Sequence, residues 1–76
     1  MLIKVSNNQI AINRDSMNPI EYELFHMIDG LASKIMCLRS VKLMESTGST
    51  LTVMADTDDL YKIILILAEH CDLEII

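Results

Sequence analysis

Apolar residues follow two rhythms along this chain of 76 residues, a period of two and a period of three to four, and the rhythms alternate. Ile3, Val5, Ile10 and Ile12 alternate with Lys4 and Ala11, the pattern of strands with one buried face. Ser6-Asn7-Asn8-Gln9 separates the two runs, and Asn tolerates positive φ, so a tight hairpin competes with one long bent strand over residues 2–12. Next, Asn18 suits an N-cap, Pro19 the first helical position and Glu21 the third, where a capping-box partner belongs. Met17 and Tyr22 are spaced as a hydrophobic staple over that start. Ile20, Leu24, Met27, Ile28, Leu31, Ile35 and Leu38 recur at helical spacing, predicting one amphipathic helix with Gly30 on its solvent side.

Val41-Lys42-Leu43-Met44 reads as a strand and Ser46-Thr47-Gly48-Ser49 as a turn, with Gly48 supplying positive φ. Leu51, Val53 and Ala55 alternate with Thr50, Thr52 and Met54 in a further strand. Asp56 or Thr57 caps a second helix running to about Cys71, and Leu73-Glu74-Ile75-Ile76 alternates once more. The expected fold is α+β: a single domain over 1–76 with a ferredoxin-like β-α-β-β-α-β order, with or without an N-terminal hairpin, an antiparallel sheet and both helices on one face. Its open sheet face would show Leu2, Lys4, Lys42, Met44, Thr52, Met54, Glu74 and Ile76. Hairpin followed by helix recurs at an offset of about 41 residues, laying Ile10 and Ile12 on Leu51 and Val53. The helices match too poorly for a repeat.

Composition narrows the class. At 51% hydrophobic and a mean hydropathy of +0.35, the chain has the apolar material that a disordered segment lacks. Eleven acids against six bases give a net charge of −5, all of it accounted for by the final stretch, where Asp56, Asp58, Asp59, Glu69, Asp72 and Glu74 face only Lys62. Such a balance argues against nucleic-acid backbones and anionic membranes. It suits a basic partner, or simply the positive N-terminal end of a helix. Cys37 and Cys71 form no disulfide framework and fit a reducing compartment. The start turns polar too early for a signal-peptide core, and the apolar run Ile63 to Ala68 is far below the roughly 20 residues of a membrane span. A cytoplasmic location is expected.

Most site chemistry is excluded. Gly30 and Gly48 are the only glycines, so neither a P-loop nor a dinucleotide fingerprint can be built. His70 and Cys71 are helix neighbours about 100° apart, and His26 and Cys37 stand about 16 Å apart on one helix, so no metal pair forms. Asp56-x-Asp58 fails as a calcium loop because Tyr61 and Leu67 occupy the Gly and Glu positions. Tyr22, Phe25 and Tyr61 all fall in helices, away from the sheet face where RNA bases stack. Tyr22, His26, Asp29 and Ser33 share one helix side, but no pocket shields His26 as a general base. No catalytic residue, cofactor or metal is expected.

One feature calls for a partner. The second helix buries Leu60, Ile63, Ile64, Leu67 and Cys71 on one side, yet Leu65 and Ile66 fall on the outward half around Lys62 and Glu69. The first helix carries a weaker second stripe of Tyr22, Phe25, Ala32 and Met36. Six methionines add adaptable side chains. The sequence therefore points to a non-catalytic protein–protein interaction module, an adaptor, inhibitor or regulatory protein that forms a homodimer or caps a larger partner. Tyr61, Leu65 and Ile66 would make hydrophobic contact, with Asp58, Asp59, Lys62 and Glu69 as polar rim. The alternative is a small-molecule-sensing regulatory domain of ACT-like architecture, with Asn13, Arg14, Asp15 and Asn18 as polar contacts.

Overall fold

The computed structural model describes residues 1–45 and 47–76. The chain forms β1 (Leu2–Ser6), β2 (Gln9–Asn13), a 3₁₀ turn at Arg14–Ser16, α1 (Pro19–His26), α2 (Leu31–Met36), β3 (Lys42–Glu45), β4 (Thr50–Met54), α3 (Thr57–His70) and β5 (Glu74–Ile75). Among the described residues the strands make one sheet, ordered β3-β4-β2-β1-β5.

Residues 2–12 are a hairpin. Ser6 pairs with Gln9, leaving Asn7-Asn8 as a two-residue turn in which Asn8 takes a φ of 57°. Asparagine enters that left-handed region more readily than most residues. The Asn8 carbonyl accepts the Ala55 N–H at 3.0 Å, tying the hairpin tip to the end of β4. This extra strand alters the expected topology. It reverses the direction of the strand that β5 meets, so β5 joins β1 in parallel while the other three pairings are antiparallel. The sheet is mixed. The fold is α+β with the N-terminal hairpin, and the wholly antiparallel sheet expected of a ferredoxin-like order is replaced by a five-stranded mixed one.

The first helix is also corrected. It breaks into α1 and α2 at residues 27–30, with the Gly30 N–H bonding the Met27 carbonyl at 2.9 Å. Gly30 is buried rather than on a solvent side. A Cβ there would overlap the Leu24 carbonyl oxygen and stand 2.8 Å from Met27 Cγ. The single apolar stripe does not survive the break. Leu31 and Ile35 are buried, while Ile20, Met27 and Ile28 are exposed and Phe25 turns into the core. Of the weaker second stripe, Tyr22 and Met36 stay exposed and Ala32 is half-buried.

All three helices cover one side of the sheet. Ile3, Ile10, Ile12, Leu51 and Val53 from the strands meet Phe25, Leu31, Ile35, Leu60, Ile63 and Leu67 in a single core. The opposite parity leaves an open face. Lys4, Ala11, Thr52 and Met44 follow one another across β1, β2, β4 and β3, with Leu2 beside Glu74 and Met54 beside Lys42 in flanking rows. Ile76 continues the alternation of β5, so the eight expected open-face residues share that face. In the β3–β4 connection, no described glycine has positive φ. Instead the Thr47 hydroxyl oxygen accepts the N–H groups of Ser49 (3.3 Å) and Thr50 (3.1 Å). Ser46, assigned to that turn from sequence, lies outside the described residues.

Candidate interaction surfaces

Two carboxylates that look like surface charges are consumed by the fold. Glu21, 6% exposed, completes the capping box. Its Oε1 accepts the Asn18 N–H at 3.0 Å, and the Asn18 side chain accepts the Glu21 N–H at 2.8 Å. The other oxygen accepts the Asp72 N–H at 3.2 Å, and the Met1 amino group sits 3.6 Å from Oε1. The start of α1, the end of α3 and residue 1 therefore meet at one carboxylate. The Asn18 N–H foremost, then the Met1 charge, holds the Glu21 carboxyl below the ordinary carboxylate range.

Asp59 corrects one expected rim residue. It is 6% exposed and turned inward. Its Oδ2 accepts the Ser40 hydroxyl at 2.7 Å and the Ser40 N–H at 3.0 Å, while its own N–H donates to Asp56 Oδ1 at 2.9 Å. Ser40 Oγ in turn accepts the Asp56 N–H at 2.9 Å. The Ser40 hydroxyl, then its N–H, depresses the Asp59 pKa. Asp59 thus anchors the loop before β3 to the start of α3.

Tyr61, Leu65, Asp58, Lys62 and Glu69 are brought together on the outward arc of α3, where all five are exposed. Tyr61 and Leu65 stand one turn apart at 68% and 61% exposure, with exposed Ala68 continuing their line. Asp58, Glu69 and Lys62 run along one edge of that line at helical spacing. Ile66 is not part of it. At 100° per residue it falls beyond Lys62, and it is half-buried against the core. Lys62 Nζ lies 3.8 Å from Asp59 Oδ1, a loose contact to a carboxylate already held by Ser40.

Other apolar residues are uncovered as well. Met44, Met54 and Ile76 are exposed on the open sheet face, and Ile28 is the most exposed large hydrophobic residue, in the α1–α2 break. Sequence reasoning placed Ile20, Met27 and Ile28 inside, because their spacing continues the helical period through the break.

A cleft of about 310 Å³ lies between the start of α1 and the end of α3, lined by Asn18, Ile20, Glu21, Glu69, His70 and Asp72 among others. Glu21 is already occupied by the chain's own donors. Burial, reinforced by the Glu21 charge, raises the pKa of the neighbouring Cys71 thiol, which disfavours the nucleophilic thiolate. Of the residues proposed for ligand sensing, the Asn13 and Asn18 side chains act as caps, accepting the N–H groups of Asp15 and Glu21. His26 packs against the rings of Tyr22 (4.4 Å between centroids) and Phe25 (5.1 Å), whereas Asp29 falls in the helix break and Ser33 Oγ donates to the Ile28 carbonyl. Among the described residues, no His, Cys, Asp and Glu side chains group to hold a metal ion, and no helix is long and apolar enough to cross a membrane. Comparison with known proteins finds no matching family model, no matching curated protein and no matching solved structure.

Proposed function

We propose that this chain is a non-catalytic protein–protein interaction module that docks through the outward face of α3, with Tyr61 and Leu65 as apolar anchors and Asp58, Lys62 and Glu69 as polar rim. The observation that carries this reading is the uncovered Tyr61–Leu65–Ala68 line on the longest helix of the fold. Each large side chain is about two-thirds exposed, so covering the pair contributes about 2–4 kcal/mol. That suits a small regulatory contact of an adaptor or inhibitor more than a permanent assembly. Free Cys37 and Cys71 fit a cytoplasmic setting. Small-molecule sensing has less support, because the two asparagines proposed for it serve as caps.

The test is a photo-crosslinking amino acid in place of Leu65, with the exposed Asp15 as control position. Adducts to a protein chain, its own or another's, are expected from position 65 and not from position 15. Absence of position-65 adducts, both in concentrated pure protein and in cell extract, overturns the reading.

A further inference from the structure

We propose that the partner of the α3 face is a second copy of this chain, its α3 packed antiparallel across a twofold axis near Leu65. This rests on the reading of α3 as the contact face and goes beyond it by naming the occupant. The charge pattern carries the inference. Lys62 and Glu69 are seven residues apart, two helical turns, and so lie on the same edge of the Tyr61–Leu65–Ala68 line. Their midpoint falls between Leu65 and Ile66, level with the centre of that line. Running a second helix in the reverse direction about that midpoint sets Lys62 opposite Glu69 of the partner subunit, and Glu69 opposite Lys62 of the partner subunit. A parallel copy would instead carry the two charged edges to opposite flanks of the seam, where Lys62 and Glu69 find no partner in each other. The reciprocity is what a twofold interface requires, since the same patch must complement itself.

The side chains suit this packing. Leu65 lies nearest the axis, and the small Ala68 lets the two helices approach. Lys62 is free to turn outward, because its 3.8 Å contact is to an Asp59 carboxylate that Ser40 already engages. Asp58, on the charged edge in the first turn of α3, comes near the C-terminal end of the partner's helix, where the helix dipole is negative, and opposes the pair. A contact along 14 helical residues, about 21 Å, with acids at both ends belongs to the weak class of interfaces. The dimer is expected to form between roughly 10 µM and 1 mM.

Sedimentation velocity across that range tests it. The wild-type chain should pass from monomer to dimer. Lys62→Glu and Glu69→Lys should each weaken the dimer by roughly 10- to 30-fold, since each turns two attracting pairs into two repelling ones. An equimolar mixture of the two variants should recover association, and so should the chain carrying both changes. Lys62→Glu places a carboxylate beside Asp59, so each variant's melting curve is recorded, and Glu69→Lys stands alone if the other loses its fold. A monomer at 1 mM, a dimer indifferent to the reversals that fold, or a mixture of two folded variants that fails to associate overturns the proposal. Indifference to both reversals would move the contact to the open sheet face or to Ile28. If self-association fails while position-65 adducts to other proteins persist, self-pairing falls and the interaction reading stands. Loss of both takes down both.

Discussion

Gly30→Ala separates the observed fold from the one that apolar spacing implies, because the two predict opposite signs. In a continuous helix with Gly30 on its solvent side, alanine would stabilise by about 0.5–1 kcal/mol through helix propensity. In the structure Gly30 is the buried N-cap of α2, and its φ of −86° is open to any residue, so backbone strain does not require glycine. Space does. The added Cβ would overlap the Leu24 carbonyl oxygen and come within 2.8 Å of Met27 Cγ and 2.9 Å of the Met27 carbonyl oxygen. The Met27 side chain can move, but the two carbonyls belong to the backbone at the end of α1. Relief means prising α1 from α2, an overpacking cost of about 2–3 kcal/mol. A domain of this size has about 4–11 kcal/mol to lose and shifts by roughly 4–8 °C per kcal/mol, so Tm should fall by about 10–20 °C. Circular dichroism melts and urea titrations of the two proteins measure it. An unchanged or raised Tm would refute the helix break and restore a single helix from Pro19 to Leu38.

The carboxylate junctions give three further expectations. Asn18→Ala removes the side-chain half of the capping box and should cost about 1 kcal/mol in urea unfolding. Ser40→Ala deletes the hydroxyl that donates to Asp59 and accepts from the Asp56 N–H, so Tm should drop on the order of 5 °C, with Ser40→Thr recovering part of it. Glu21 and Asp59 both have folded pKa values below their unfolded ones. Their contribution is therefore complete above the unfolded values, near pH 4, and is lost as pH falls through the depressed folded values. Urea midpoints should decline below about pH 4.5, and Glu21→Gln should be less stable at pH 7 with a shallower acid decline. Equal slopes for Glu21→Gln and wild type would exclude Glu21 as a source of acid sensitivity.

Much of the fold was legible because local chemistry decided it. Asn18-Pro19-Ile20-Glu21 specifies a helix start in four residues, and Asp56 does the same for α3. Strand parity was readable because one face alone is buried, so the open-face residues could be named before any pairing was known. What escaped was set by tertiary geometry. The break at 27–30 leaves the period of apolar spacing intact, and its local mark is Gly30, whose missing Cβ lets the chain approach the Leu24 carbonyl. Likewise β5 reverses its relation to the sheet because Asn7-Asn8 doubles the first strand, a consequence not written in β5 itself. Within the candidate surface, Tyr61, Leu65, Lys62, Glu69 and Asp58 emerge as a connected outward arc. Asp59 was misplaced because its partner, Ser40, lies 19 residues away, and Ile66 because neighbours in sequence are 100° apart on a helix.

The two buried carboxylates change how the acidity of the chain should be weighed. Counted along the sequence, residues 54–76 carry six acids and one base, which invites a basic partner. Asp56 and Asp59 are committed to the start of α3 and to Ser40, and Asp72 and Glu74 lie beyond the helix end. What α3 presents is therefore not a uniform negative field. Beside the apolar line it alternates Asp58, Lys62 and Glu69, and that alternation has direction, with the base nearer the N-terminus and an acid two turns on. A uniformly basic surface gains from Asp58 and Glu69 but must desolvate or repel Lys62. A reversed copy instead engages both Lys62 and Glu69, leaving Asp58 as the opposing charge. Mixed sign makes the antiparallel copy the better electrostatic match, while net acidity keeps that match weak.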